Sequence, residues 1–173
     1  MNFAGKSIAI TGASSGLGLH LAREFAAKGA HVALMARDKD RLDKASAECG
    51  GSTLIFPGDV TRPEDCKKFI ETVIDKFGSL DHLIANAGQS MWARFEDVED
   101  LALYRRLLEV NYLGVVYCVH PALAELKKSC GQIVVISSIQ AKVGVPFHSG
   151  YGASKHALEG FIDTLRCELN GSG

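Results

Sequence analysis

The chain has little of what would mark most specialised proteins. Its 173 residues carry 19 basic and 20 acidic side chains, a formal net charge of −1, so no field exists to grip a polyanion and no nucleic acid partner is expected. Five cysteines (Cys49, Cys66, Cys118, Cys130, Cys167) are odd in number, far apart and without a C-x-x-C pair. Neither a disulfide framework nor a zinc site is expected, and a reducing, cytoplasmic setting is. The six histidines show no H-E-x-x-H spacing, so the expected metal is none. No uninterrupted apolar run approaches the roughly 18 to 20 residues of a membrane helix, and residues 1–6 hold no basic-then-apolar signal region. A soluble chain without membrane association is the expectation.

Hydrophobic residues at 47% and charged ones at 23% are globular proportions, with an excess of glycine at 18 residues. At 18.5 kDa, residues 1–173 suit a single domain that buries roughly 70% of its unfolded surface. Short continuous apolar runs, Ser7 to Thr11, His31 to Ala36, Thr53 to Phe56, His82 to Ala87 and Gln132 to Ser138, read as strands buried on both faces. Helical patterns separate them. Cys66, Phe69, Ile70, Val73, Ile74 and Phe77 form one apolar stripe, opened by a capping box at Thr61 and Glu64 and stopped by Gly78; Leu17, Leu21 and Phe25, followed by Gly29, form another. Parallel strands need helical crossovers, so the predicted fold is α/β: a Rossmann-like, doubly wound parallel sheet of about five strands. In the charged stretch Arg37 to Lys44 the signs alternate, as on a solvated helix face with Asp38 as N-cap.

In such sheets ligands bind beyond the carboxyl ends of the strands, and here five consecutive ends carry turn and polar residues. They are Thr11-Gly12-Ala13-Ser14-Ser15-Gly16-Leu17-Gly18, Ala36-Arg37, Gly58-Asp59-Val60, Asn86-Ala87-Gly88 and Ser137-Ser138. Any one alone is ordinary turn chemistry. The first also suits an anion: Gly12 permits a tight turn, Gly16 a close backbone approach to phosphate and Gly18 tight helix packing, while the next helix offers free N–H groups. Its G-x-x-x-G-x-G spacing departs from G-x-G-x-x-G, so nucleotide binding and a plain glycine turn both stay open. A Walker loop is excluded, because Leu17 and Gly18 stand where it needs Gly and Lys. Gly12 to Gly16 also fits G-x-S-x-G, which would make Ser14 a hydrolase nucleophile. That reading ranks last, because the elbow would follow the first strand, with no earlier loop to complete an oxyanion hole.

Near the end, an apolar stripe of Leu158, Phe161, Ile162, Leu165 and Leu169 defines a helix on which Tyr151 falls on the stripe and Lys155 about 40° away. A lysine is therefore aimed inward. It either snorkels beside a packed tyrosine or supports phenolate at Tyr151, so that the hydroxyl exchanges a proton near neutral pH. Ser138 could add a second hydroxyl to the same pocket.

Together these motifs resemble the short-chain dehydrogenase/reductase family, in order from the first strand to the last residue. The matching marks are T-G-x-x-x-G-x-G at Thr11 to Gly18, Asp59-Val60, N-A-G at Asn86 to Gly88, N-x-x-G at Asn111 to Gly114, Ser138, and Y-x-x-x-K at Tyr151 and Lys155; Ala85, where many members have Asn, departs. The resemblance implies hydride transfer between a nicotinamide cofactor and a carbonyl or alcohol. By that carry-over Tyr151 protonates the carbonyl oxygen, Ser138 hydrogen-bonds it, Lys155 assists Tyr151 and holds the nicotinamide ribose, and Asn111 anchors a water. Gly12, Ser14, Ser15, Gly16, Leu17 and Gly18 would contact the pyrophosphate region, Asp59 and Val60 the adenine, and Asn86, Ala87 and Gly88 its ribose. With Ala36 at the family's acidic position and Arg37 next, NADP(H) is expected over NAD(H), Asp38 being the residue that a shifted register would bring in.

Ile139, Val143, Val145, Pro146 and Phe147, with Gln89 to Trp92, suggest a partly apolar substrate pocket, and the family branches most resembled act on lipid-like or steroid-like ketones. The rival from another class is a nucleotide-binding sensor or interaction module without turnover. Family members normally continue past this helix into two more strands, so a shortened form lacking the C-terminal strands is expected. Its last strand would then be an apolar edge, and covering it by a homo-oligomer is the matching expectation.

Overall fold

The computed structural model describes residues 2–171; Met1, Ser172 and Gly173, part of the expected 1–173 domain, lie outside the described residues. Strand and helix alternate as β1 Ser7–Thr11, α1 Gly16–Ala27, β2 His31–Ala36, α2 Lys39–Cys49, β3 Thr53–Pro57, α3 Pro63–Phe77 and β4 His82–Ala85. There follow α4 Ala102–Leu108, a π-helical turn Glu109–Leu113, α5 Gly114–Ser129, β5 Gln132–Val135 and α6 Ser149–Glu168. All strand pairs are parallel, in the order β3-β2-β1-β4-β5. This is the doubly wound Rossmann-like sheet predicted above. The chain leaves β1 outward to β2 and β3 and returns to β4 on the other side, so a crevice opens where the order reverses, outside the carboxyl ends of β1 and β4.

Two cores flank the sheet. Ile8, Ile10, Val32, Leu34 and Ile84 face α1 and α2, where Ala22, Leu42 and Ala45 cover them. Ala9, Ala33, Met35, Leu83 and Ala85 face the other way, onto Phe69, Val73, Cys118, Val119 and Leu158 of α3, α5 and α6. The register Ile10↔Leu34 and Ile10↔Ile84 keeps each set on its own face, because side chains alternate along a strand.

Several expectations change in detail. The capping box at Thr61 and Glu64 is not made: Pro63 occupies the first helical turn, Arg62 is the N-cap, and the Thr61 hydroxyl donates to Asp59 Oδ1 at 3.0 Å. Proline lacks the N–H that a cap would satisfy and is pre-set for that first turn. Asp38 does cap α2, accepting from the Arg41 N–H at 3.1 Å, and Gly78 ends α3 in the left-handed conformation. Leu21 and Phe25 pack into the first core, but Leu17 is half exposed in the opening turn of α1. β5 is not buried on both faces. Val134 pairs with Ile84 and shares its face, yet the cover of α1 and α2 does not reach out to β5, leaving Val134 40% exposed on an edge strand.

The continuous helical run Ala102–Ser129 is, by length and composition, long and apolar enough to cross a membrane. Its buried side chains Leu107, Val115, Cys118, Val119, Ala122 and Leu126 are committed to this domain's interior. Packing explains their apolar character.

Candidate active site

The carboxyl ends of β1 and β4 are tied together before any ligand is considered. Thr11 Oγ1 accepts from the N–H groups of Asn86 and Ala87, each at 3.1 Å, and Asn86 Nδ2 donates to the carbonyls of Thr11 and Gly12 at 3.0 and 3.1 Å. Both amide donors of Asn86 are thus spent on the glycine loop. Space around that loop is minimal: a Cβ on Gly18 would stand 2.4 Å from the Gly12 carbonyl oxygen and 2.5 Å from Asn86 Nδ2. Gly12 combines φ +64° with a Cβ position 2.8 Å from Ala87 Cα, so no other residue fits without moving backbone. Ser15 precedes α1 in extended conformation and makes no side-chain cap, leaving the first N–H groups of the helix to an anion.

From this loop a cleft of about 660 Å³ runs over the strand ends, lined by Ser14, Ser15, Arg37, Val60, Ala87 and Gly88. Such a volume is ordinary for a cofactor or small-molecule site. Arg37 and Arg41 both reach it; Arg41, one turn into α2, carries no signal in the sequence because it sits in a stretch of alternating charge that reads as a solvated face. Asp38 offsets part of its charge, with an oxygen 3.4 Å from Arg41 Nε. Asp59 takes another role than a free wall carboxylate. Its Oδ1 accepts from the Thr61 N–H and hydroxyl, while Gly58 and Val60 on either side line the cleft. Among the described residues no hydrogen bond links Ser14 to a histidine or carboxylate, so its hydroxyl lacks the activating base that a hydrolase needs.

Ser138, Asn111, Tyr151 and Lys155 stand outside the lining of this cleft, and Gly88, which does line it, is the point at which Lys155 of α6 comes near. Lys155 is 4% exposed and its ammonium donates to the Ile136 carbonyl at 2.8 Å; among the described residues no carboxylate forms an ion pair with it. Burial holds its pKa below that of an ordinary lysine. Its Nζ lies 5.8 Å from the centre of the Tyr151 ring, one turn back on the helix. Lys155 and Asn111 both border Gly88, where a Cβ would stand 4.0 Å from Lys155 Nζ and 3.3 Å from Asn111 Oδ1. Asn111 is fully buried in the π-helical turn, an irregularity that often marks functional positions. Its side chain pairs with the Gln89 backbone, accepting from N–H at 2.8 Å and donating to the carbonyl at 2.8 Å.

A third Asn111 bond runs to Ser154 Oγ at 2.9 Å, and that hydroxyl donates to the Tyr151 carbonyl at 2.7 Å. Ser154 is therefore a buried tie between the π turn and the Tyr151–Lys155 helix, missed in the sequence because a serine inside a helix carries no signal of its own. Ser138 opens the 3₁₀ turn Ile139–Ala141 and accepts from the Gln140 N–H at 3.1 Å, leaving its own hydroxyl hydrogen available to donate.

This arrangement can hold a dinucleotide along the cleft and work on a group beside Tyr151. The family model for short chain dehydrogenase matches residues 6–173. The chain belongs to this oxidoreductase family. Among curated relatives, the chain is 47% identical over 98% of its length to "11-beta-hydroxysteroid dehydrogenase-like 3" of Arabidopsis thaliana, covering 56% of that protein. It is 42% identical to "11-beta-hydroxysteroid dehydrogenase 1A" of the same plant, covering 50% of it. The chain thus spans about half the length of the curated relatives it matches. Among solved structures it resembles an alcohol dehydrogenase from the archaeon Thermococcus sibiricus complexed with 5-hydroxy-NADP, with TM-score 0.90, 33% identity, and 94% and 71% of the two chains covered. A putative short-chain alcohol dehydrogenase from Sinorhizobium meliloti 1021 gives TM-score 0.91 at 31% identity, over 99% and 69%.

A second groove, of about 350 Å³, lies between the ends of α5 and α6, lined by Leu123, Leu126, Ile162 and Leu165. It shares no residue with the cleft or with Ser138, Tyr151, Lys155 and Asn111.

Proposed function

We propose that the protein of which this chain is part is an NADP(H)-dependent reductase of ketones, or dehydrogenase of the matching secondary alcohols, with lipid-like or steroid-like compounds as substrates. The observation that carries the reading is the buried, carboxylate-free Lys155 beside Tyr151, next to the Gly88 wall of a cleft that begins with open helix N–H groups. A buried cation is costly without a partner, and here the hydroxyls of a ribose would supply one. A nicotinamide dinucleotide bound in the cleft would supply or accept the hydride.

The chain's own residues do the rest. The N–H groups of α1 and the Gly12–Gly18 loop hold the pyrophosphate. Arg37 and Arg41 give the far end positive charge suited to a 2′-phosphate; Ala36 offers no carboxylate for a free 2′-hydroxyl, and Asp38, which lines the same wall, is engaged with the Arg41 N–H and side chain. Tyr151 delivers its hydroxyl proton to the carbonyl oxygen as the carbon is reduced, and takes it back in oxidation. The Ser138 hydroxyl donates a hydrogen bond to the same oxygen. Lys155 stabilises the negative charge left on Tyr151, and Asn111 with Ser154 fixes the helix that carries both. The NADP-type ligand of the Thermococcus sibiricus neighbour and the steroid-dehydrogenase names of the relatives support the same cofactor and substrate class.

Following NADPH absorbance with a panel of ketones tests this. Turnover is expected to fall by about 10²- to 10⁴-fold in Tyr151→Phe with NADPH binding retained. NADPH binding without any turnover above that variant would instead make the chain a nucleotide-binding module.

A further inference from the structure

Half of the large apolar side chains left in solvent gather in one place, while Leu17, Phe95, Leu101, Leu108 and Val134 lie elsewhere. Trp92 is 75% and Ile139 72% exposed, and Val143, Val145 and Phe147 are also exposed; these five belong to the two segments beside Tyr151 and Ser138. Two of them form a built surface. The rings of Trp92 and Phe147 stack with centroids 5.2 Å apart and planes 23° from parallel. His148 meets Trp92 edge-on at 4.9 Å and 89°, and its other neighbour is the Tyr151 ring at 6.1 Å. An unbroken aromatic path therefore leads from Phe147 to Tyr151.

The backbone is arranged to hold that path. The Ala93 N–H donates to the Phe147 carbonyl at 3.0 Å, and the Gly150 N–H points at the buried Met91 Sδ at 3.2 Å, clipping residues 91–93 to residues 147–150. Phe147 itself has φ +68°, a left-handed conformation that a bulky residue rarely adopts. Glycine would take that conformation without strain, so a phenylalanine kept there, ring outward, points to use of the ring. The charges nearby are committed elsewhere: Lys142 pairs with Glu159 at 2.9 Å and Arg94 with Glu96 at 3.1 Å. The rim therefore offers an aromatic face and no unpaired charge from these residues to a carboxylate or phosphate.

We infer that Trp92 and Phe147 are the specificity-determining residues of the site, an aromatic wall on which the flat apolar frame of a neutral ring-bearing ketone rests with its carbonyl toward Tyr151. This rests on the reading of the site as a carbonyl reductase and adds the residues that select the substrate. Aromatic faces reward flat, weakly hydrated partners, whereas a small acyclic ketone spans too little of the wall to gain from it.

Trp92 is the single tryptophan of the chain, so its fluorescence reports on the wall directly. In the NADPH-loaded protein, benzophenone is expected to quench that emission saturably and butanone is not. Trp92→Ala, Phe147→Ala and Phe147→Gly are expected to lower kcat/KM for benzophenone by about 10- to 100-fold. Butanone turnover and NADPH affinity should stay within about twofold in the same variants. Phe147→Gly relieves the backbone, so its matching loss would assign the effect to the ring and not to the fold. Equal losses for both ketones, or no loss for benzophenone, would overturn the wall. Saturable quenching without turnover of either ketone would uphold the wall and overturn the reductase reading; turnover of benzophenone without quenching would do the reverse.

Discussion

The two ends of the sheet treat a buried charge in opposite ways. At the amino ends of the strands, Asp81 is closed off by its own chain: Oδ1 accepts from Lys6 Nζ at 2.7 Å and Oδ2 from the Ser7 N–H at 2.9 Å. Burial raises the pKa of this carboxyl, but the Lys6 hydrogen bond, the Ser7 N–H and the charges of Lys6 and His82 outweigh it, and the net displacement is downward. At the carboxyl ends, Lys155 is buried as deeply with only a carbonyl for company. One end satisfies its charge within the fold, and the other leaves a charge to be satisfied by something that binds. Stability and function are separated along the strand axis, as in parallel sheets whose ligands gather beyond one end.

The difference is sharpest in a pair of variants. Lys155→Met should cut NADPH-dependent turnover by about 10²-fold or more while leaving urea stability of the free chain unchanged or higher by about 1 kcal/mol, since an unpaired buried charge is removed. A large loss of stability would show that Lys155 is structural and erase the contrast. Gly18→Ala should come next, because its Cβ would overlap the Gly12 carbonyl and the Asn86 amide: about 1–3 kcal/mol of stability lost, together with NADPH binding, by calorimetry.

Asp81→Asn should cost about 1–3 kcal/mol in urea unfolding and leave NADPH affinity unaltered. The sign with pH is definite. A folded-state carboxyl displaced downward stabilises above its ordinary value near 3.8 and loses that contribution as pH falls through the folded value, so the parent and Asp81→Asn curves should converge below about pH 4. The smallest effect belongs to Ser154→Ala, about 1 kcal/mol of stability from its two hydrogen bonds and a several-fold lower kcat with KM little changed. An unchanged kcat would leave Ser154 as a packing residue only.

Local signals were legible where the cause was local. The αL stop at Gly78, the Asp38 cap and the apolar stripe of α3 follow from residues within a turn or two of one another, and each was readable from spacing. The Thr61 cap was misread because one proline two residues on shifted the helix start. Ser154 and the Trp92–Phe147 stack were not readable, since each owes its role to a partner from another segment, 43 residues separating Asn111 from Ser154; Arg41 was not, since the cleft it lines is closed by the ends of other strands.

The amino-acid sequence by itself determined the alternating strands and helices, the glycine-bearing turn after β1 and the spacing of Tyr151 and Lys155, because periodicity and backbone permission act over short distances. Only the tertiary structure decided that Lys155 lies buried against the Ile136 carbonyl, that Asn86 spends its amide on the glycine loop and that Phe147 turns its ring outward under Trp92. Burial, hydrogen-bond partners and ring contacts are properties of neighbours in space, and those neighbours are chosen by the order in which five strands assemble.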